Sequence, residues 1–194
     1  MNTLPAIPDR KKFLRAINQK TPKYLKPEAI RQIIYGAKKD RYSLLFLLLW
    51  QTGCRISEAL ALTPQDIDWN FKQIRITTLK RRGKADRHIP LKEELLGALG
   101  VYINTYKLTA TDRLFSMTPQ AVHQELKGIL AAQNMPNWIH IHTFRHSFAV
   151  NCLAQGMNIS TLKEVLGHAC VENTMVYLKV FQPEVQDQFN KIVF

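Results

Sequence analysis

The chain has 194 residues, 46% of them hydrophobic and 22% charged, a composition that excludes a disordered chain and fits one sizeable core. Lysine and arginine number 27 against 15 acidic residues, so the formal net charge is +12 at pH 7. This excess favours a partner rich in phosphate groups, either a nucleic acid or an anionic membrane surface.

Membrane and secreted classes have little support in the sequence. The longest apolar run, Leu44–Trp50, has seven residues, whereas about 20 are needed to span a bilayer. The segment Met1–Pro8 lacks the apolar stretch of a secretory signal. Cys54, Cys152 and Cys170 are odd in number and widely spaced, which predicts neither disulfides nor a structural zinc site. A reducing cytoplasm fits these observations best.

The first 26 residues are predicted to be a basic arm, because prolines interrupt them and lysine and arginine outnumber acids. The body is predicted to span residues 27–194 and to begin with a helix at Pro27, since proline suits a first helical turn. Helical patterns then dominate. We predict helices at Ala29–Lys38, Tyr42–Gly53, Ser57–Leu62, Glu93–Tyr106, Pro119–Asn134, Thr143–Gln155, Ser160–Leu166, Asn173–Val180 and Pro183–Ile192.

Two short segments interrupt the helical pattern. Residues Gln73–Leu79 are rich in β-branched side chains, and Arg87–Leu91 can pair back with them across a basic turn. The sequence therefore predicts a mainly α fold with a small antiparallel β-sheet.

A set of side chains suited to phosphate chemistry is concentrated near the C-terminus. His142, Arg145, His168 and Tyr177 lie within one stretch of 36 residues, and Arg55 lies far upstream. Arginine offers a planar, permanently charged fork to phosphate oxygens. Histidine can move a proton near neutral pH, and a tyrosine hydroxyl can attack phosphorus. Together these residues predict cleavage of a DNA phosphodiester.

Each of these residues alone has an ordinary structural explanation. Tyr177 in a helical run could be a packed aromatic residue, and His168 beside a helix end could be a cap. Arg55 could form a salt bridge with Glu58 within one helical turn. Only their joint order and spacing favour the catalytic interpretation.

Three segments, residues 52–68, 142–149 and 166–168, together with Tyr177, resemble the motifs of the tyrosine recombinase (phage integrase) family. The resemblance covers roughly residues 27–190 and implies the catalytic-domain fold of that family. It implies that Tyr177 forms a 3′-phosphotyrosine and releases a 5′-hydroxyl. It implies no metal or nucleotide cofactor, because the phosphotyrosine bond keeps the phosphodiester energy. By the same resemblance, the scissile phosphate is bound and activated by Arg55, His142, Arg145 and His168.

The family also places a catalytic lysine in the turn of its small sheet, as the general acid for the leaving oxygen. Lys80, at the end of the first strand, is the preferred candidate, and Lys84, beside the turn glycine, is the second. The other basic residues of this region are expected to contact DNA. The expected DNA contacts are Arg81, Arg82, Lys84 and Arg87.

Two further residues are expected to support the site from behind. Glu58 is predicted to orient a cation, and His146 is predicted to pack behind Arg145.

The resemblance implies double-stranded DNA as the partner, in the cytoplasm of a bacterium and associated with the nucleoid. It also implies a homo-oligomer, a tetramer on DNA, joined through the apolar face of a tail helix at residues 183–192. Docking of that helix on its own core remains an equal alternative. Most family members carry an additional N-terminal domain, which residues 1–26 are too short to form. A minimal recombinase and a fragment both remain open.

The predicted function is therefore a site-specific recombinase that cleaves and rejoins DNA strands. Two alternatives remain. The chain could be a DNA-binding accessory or regulatory protein that keeps the fold without turnover, or an enzyme like a type IB topoisomerase.

Overall fold

The structure is a computed structural model that describes residues 22–80 and 83–178. A short 3₁₀ helix, Pro64–Asp66, precedes the sheet. The strands are β1 (Ile67–Asp68), β2 (Gln73–Lys80) and β3 (Gly83–Pro90). The helices are α1 (Pro27–Gly36), α2 (Asp40–Thr52), α3 (Ile56–Ala59), α4 (Glu93–Thr105), α5 (Pro119–Ala132), α6 (Ile141–Ala154), α7 (Ile159–Leu166) and α8 (Glu172–Met175).

This architecture confirms the predicted fold class, a mainly helical domain with a small antiparallel sheet. None of the helices between residues 22 and 178 combines the length and the apolar character needed to cross a bilayer. The predicted tail helix at 183–192 and most of the predicted arm lie outside the described residues. Helix α8 ends at Met175, earlier than predicted, so Tyr177 lies in the turn that follows it.

The sheet has the order β1-β2-β3, and both pairs are antiparallel. The β2–β3 ladder runs from Gln73 opposite Pro90 to Lys80 opposite Gly83. Strand β3 therefore begins earlier than predicted, and Lys84 lies within it rather than in the turn. Lys80 ends β2, as expected. Arg81 and Arg82, which come between β2 and β3 in the sequence, lie outside the described residues.

Helix α2 is the central element of the core. Its residues Leu45, Phe46 and Leu48 are fully buried, and it packs against α1, α4 and α6. The rings of Phe46 and Phe144 stack with 5.3 Å between their centroids, which joins α2 directly to α6. This packing fixes the end of α2, and with it Arg55, relative to α6.

Gly53 ends α2 in the left-handed conformation, with φ of 61°. A Cβ atom at this position would lie 2.3 Å from Cδ1 of the Phe148 ring. Both the backbone conformation and the space therefore require glycine at the point where the chain turns towards Arg55.

We expect Gly53→Ala to lower the free energy of unfolding by about 2–4 kcal/mol, because it adds left-handed strain to a steric clash. Gly97→Ala is the matched control, since Gly97 lies in α4 and a methyl group there would meet nothing within 4 Å apart from its chain neighbours and the backbone of its own helix. That change should be neutral or stabilising by up to about 1 kcal/mol. Urea denaturation of both variants measures the difference, and equal stabilities would contradict the packing described for Gly53.

Candidate active site

Helix α6 presents His142, Arg145 and His146 in its first two turns. It begins after His140, whose backbone N–H donates to the Thr143 hydroxyl at 3.1 Å, a local bond that favours a helix start here. The spacing of three residues places His142 and Arg145 next to each other on the helix surface. His142 as a whole residue is exposed, whereas Arg145 is only 5% exposed.

The Arg145 guanidinium joins the ends of two other helices. Its Nη1 donates to the Gly53 carbonyl oxygen and its Nη2 donates to the Leu166 carbonyl oxygen, each at 2.7 Å. Burial, followed by the charge of Arg55, lowers the pKa of Arg145 to about 10, so it stays charged at neutral pH. A guanidinium has more N–H donors than these two carbonyls use, so donors remain for an anion.

Glu58 is a buried carboxylate that receives several donors. It accepts from the Arg55 backbone N–H at 2.8 Å, from Arg55 Nη1 at 3.0 Å and from the Thr78 hydroxyl at 2.6 Å. Burial alone would raise the pKa of Glu58, but hydrogen bonds from Arg87, Arg55 and Thr78 outweigh it and lower the pKa to about 2. The ionised carboxylate thus orients Arg55.

Arg87 was expected to contact DNA, and the structure shows instead that its guanidinium is directed into the protein. Its Nη2 donates to Glu58 at 2.8 Å, its Nη1 to the Thr78 hydroxyl at 2.7 Å and its Nε to the Val165 carbonyl oxygen at 2.7 Å. The side chain is 12% exposed. The reason is its position in β3, opposite the buried Ile76, which points the side chain inward.

His146 was expected to pack behind Arg145, and the structure gives it another partner. Its Nδ1 lies 3.0 Å from the Tyr177 hydroxyl oxygen. Burial, with the neighbouring charges of His142, His140 and Arg145, lowers the pKa of His146 to about 4. The ring is therefore neutral near pH 7. In the tautomer with its proton on Nε2, Nδ1 accepts a hydrogen bond from the Tyr177 hydroxyl.

Tyr177 is 2% exposed and packs in a small cluster with Phe148, Leu162 and Leu166. Burial raises the pKa of Tyr177, and the charges of Arg145 and Arg55 offset this only in part. The hydroxyl is therefore protonated in this conformation, and a base is needed to remove its proton. His146 lies where such a base would be.

His168 follows Gly167, which ends α7 in the left-handed conformation with φ of 64°. Its Nδ1 lies 2.8 Å from the hydroxyl of the buried Thr174, which fixes the ring. Burial, then the charges of Arg145 and Arg55, lowers the pKa of His168 to about 4. Desolvation, followed by the charge of Arg145, also lowers the pKa of His142.

A cleft of about 600 Å³ opens between α3, β2 and the chain after α7. Arg55, Glu58 and Thr78 line one side, and Gly167 and His168 line the other. The side chains of Lys80 and Lys84 lie outside the described part of the structure. A cleft lined by Arg55 and the neutral His168, with Arg145 and the Tyr177 phenol nearby, can bind a phosphate diester and transfer it to an oxygen nucleophile.

Comparison with known proteins agrees with this geometry. A family model described as "Phage integrase family" matches residues 23–184. The chain belongs to the phage integrase family. A tyrosine recombinase of Pseudothermotoga lettingae is 32% identical to this integrase-family chain over 182 residues, which is 91% of this chain and 63% of that protein. The chain spans about half to two thirds of the length of the curated relatives it matches.

Solved structures show the same fold for this integrase-family chain. The catalytic domain of bacteriophage HP1 integrase has a TM-score of 0.68 and 25% identity, over 87% of this chain and 94% of that one. XerH site-specific recombinase bound to a palindromic difH substrate, in a post-cleavage complex, has a TM-score of 0.74 and 21% identity. That match covers 91% of this chain and 56% of the XerH chain.

We expect this integrase-family domain to lose stability as the pH falls from 6.5 towards 4. The pKa values of His146 and His168 are about 4 when folded and 6.5 when unfolded, so in this window only the unfolded chain binds the protons. Each histidine should lower the free energy of unfolding by up to about 1.4 kcal/mol per pH unit. Urea denaturation at pH 7 and pH 5 tests this. His146→Gln should reduce the pH dependence, and an unchanged dependence would contradict the neutral His146.

Proposed function

We propose that this chain is the catalytic part of a site-specific DNA recombinase that cleaves and rejoins strands through a 3′-phosphotyrosine. The observation that carries the proposal is the arrangement around Arg145. This buried cation holds the ends of α2 and α7 together, beside Arg55 and His168, and α6 also presents His146 to Tyr177. Family membership, the net charge of +12 and DNA-bound structural neighbours support double-stranded DNA as the substrate.

In the proposed reaction, Arg55 and Arg145 bind the non-bridging oxygens of the scissile phosphate, and His142 and His168 donate further hydrogen bonds. The Tyr177 oxygen forms a bond to phosphorus as its proton passes to His146 Nδ1, whose pKa of about 4 rises when the phosphate adds its negative charge to the site. The bond from phosphorus to the 5′ oxygen breaks, and that oxygen takes a proton from a lysine. A 5′-hydroxyl of another strand then attacks the phosphotyrosine and gives its proton to the lysine. The bond from phosphorus to the Tyr177 oxygen breaks, and that oxygen takes its proton back from His146.

The burial of Tyr177 adds one requirement to this proposal. At 2% exposure its hydroxyl has no open path to a duplex. The turn after α8 must therefore shift when DNA binds, so that the oxygen approaches phosphorus within about 3–3.5 Å. Thr174 lies in α8, shortly before this turn, and its hydroxyl contacts His168, so the shift can follow from phosphate binding at His168.

The wider assembly is also part of the proposal. We assign Arg81, Arg82 and Lys84 to contacts with DNA phosphates at the hairpin, and residues 1–26 to a basic arm that adds further phosphate contacts. The helix at residues 183–192 would join protomers as a tetramer on DNA. Such a protein would work in the bacterial cytoplasm on the nucleoid.

Covalent trapping tests the function. The protein is mixed with supercoiled DNA that carries the flanking region of its own gene, quenched with detergent and examined for protein that stays attached to DNA. We expect attachment by the wild type and by Tyr35→Phe, a control at an exposed tyrosine. Tyr177→Phe should bind DNA and form no adduct. Equal attachment by Tyr177→Phe would refute the assignment, and DNA binding without any adduct would favour the regulatory alternative.

The general acid can be identified with a substrate whose leaving 5′ oxygen is replaced by sulfur, which leaves without needing a proton. We expect Lys80→Ala to cleave the oxygen substrate slowly, by about 100-fold or more, and the sulfur substrate at nearly the wild-type rate. Lys84→Ala should show no such difference. The reverse pattern would assign the acid to Lys84, and rescue of neither variant would remove both from this role.

A further inference from the structure

Arg87 connects two sides of the cleft that are far apart in the sequence. Its Nη2 and Nη1 lie 2.8 Å and 3.3 Å from the Glu58 carboxylate oxygens, and its Nε donates to the Val165 carbonyl oxygen at 2.7 Å. Glu58 also holds Arg55, and Val165 lies in the last turn of α7, just before His168. One guanidinium therefore links the Arg55 side of the cleft to the His168 side.

The end of α7 depends on two arginines. The last carbonyl groups of a helix have no partner within the helix. Here Arg87 donates to the Val165 carbonyl oxygen and Arg145 donates to the Leu166 carbonyl oxygen, each at 2.7 Å. A Cβ atom at Gly167 would lie 2.9 Å from Arg87 Nη1, so the backbone of the turn packs directly on this guanidinium. These contacts set the direction in which the chain leaves the helix.

We propose that Arg87 is a positioning residue for strand cleavage. It holds Arg55, through Glu58, and the Gly167–His168 turn in the arrangement that receives the scissile phosphate. This inference rests on the proposed function. Arg87 acts through its neighbours, because each of its nitrogens donates to a protein acceptor and its side chain is 12% exposed.

The role of Arg87 concerns the phosphate and not the leaving group. The hairpin that carries Lys80 and Lys84 is held by a ladder of eight residue pairs between β2 and β3. That ladder keeps its backbone hydrogen bonds when the Arg87 side chain changes. Loss of Arg87 should therefore weaken phosphate activation and leave protonation of the 5′ oxygen largely intact.

Single-turnover cleavage by Arg87→Lys tests this role, because lysine keeps the charge but lacks the planar fork. Arg75→Lys is the matched control, since Arg75 lies in the adjacent strand and pairs with Asp66 while 44% exposed. We expect Arg87→Lys to cleave on the order of 10- to 100-fold more slowly than the wild type, because a small misplacement of catalytic groups has an effect of this size. Its DNA affinity should stay within about threefold of the wild type. Arg75→Lys should stay within about threefold in both. The sulfur substrate should not restore Arg87→Lys. Wild-type cleavage by Arg87→Lys, or its full rescue by sulfur, would overturn the proposal.

Two substitutions of Thr78 test the hydrogen-bond network of Arg87, Thr78 and Glu58 without changing an arginine. The Thr78 hydroxyl accepts from Arg87 Nη1 at 2.7 Å and donates to Glu58 Oε1 at 2.6 Å. Thr78→Val removes this hydroxyl with little change in shape, whereas Thr78→Ser keeps it. We expect Thr78→Val to cleave several-fold more slowly than Thr78→Ser. Equal rates for the two variants would contradict the network.

Amide hydrogen exchange tests the positioning in the absence of DNA. The Gly167 N–H donates to the Glu164 carbonyl oxygen at 2.9 Å, and the His168 N–H donates to that of Lys163 at 3.1 Å. Arg87→Lys should speed exchange at both amides, and Arg75→Lys should not. Unchanged exchange in Arg87→Lys would refute the positioning role. Failure of the wild type to attach to DNA would instead refute the proposed function, whatever the exchange rates show.

Discussion

The buried Arg145 guanidinium is the interaction on which the rest of the site depends. A charge at 5% exposure is unfavourable unless polar partners replace the water it has lost. Here the partners are the carbonyl oxygens of Gly53 and Leu166, at the ends of α2 and α7. Because α6 supplies the arginine, three helices meet at one cation. Arg55 lies three residues after the end of α2 and His168 two residues after the end of α7, so this cation also sets the spacing of two side chains that are proposed to bind the phosphate.

The electrostatics of the cleft suit an incoming anion. Glu58 stays ionised and is occupied by Arg55 and Arg87, while Arg145 uses only part of its donor capacity. His168 is neutral because burial and the arginine charges lower its pKa. A bound phosphate diester would supply a negative charge to balance these cations. That charge would also favour proton donation by the imidazoles. In the proposed reaction, the site is thus arranged for the charge of the reacting phosphate, which is where preorganised electrostatics contribute most to catalysis.

Local sequence patterns could predict the fold and most of the elements around the site. Local patterns located α2 and α6, and the predicted helices Tyr42–Gly53 and Ser160–Leu166 end close to Gly53 and Gly167, because these features depend on near neighbours in the chain. The inward direction of the Arg87 side chain was not predicted. A signal was present, because Arg87 lies two residues before the buried Ile89 and alternate residues of a strand face the same side of the sheet. The pairing of His146 with Tyr177 had no local signal, since it depends on how the segment after α8 packs on α6.

If Tyr177 is the nucleophile that attacks a phosphate bound in this cleft, the covalently attached nucleotide must be on Tyr177. Digestion of the trapped protein–DNA adduct with protease and nuclease, followed by mass spectrometry, identifies the nucleotide-bearing peptide. We predict one modified peptide, with the 3′-phosphate on the oxygen of Tyr177. A nucleotide on any other residue, or an adduct joined through a 5′-phosphate, would contradict this assignment.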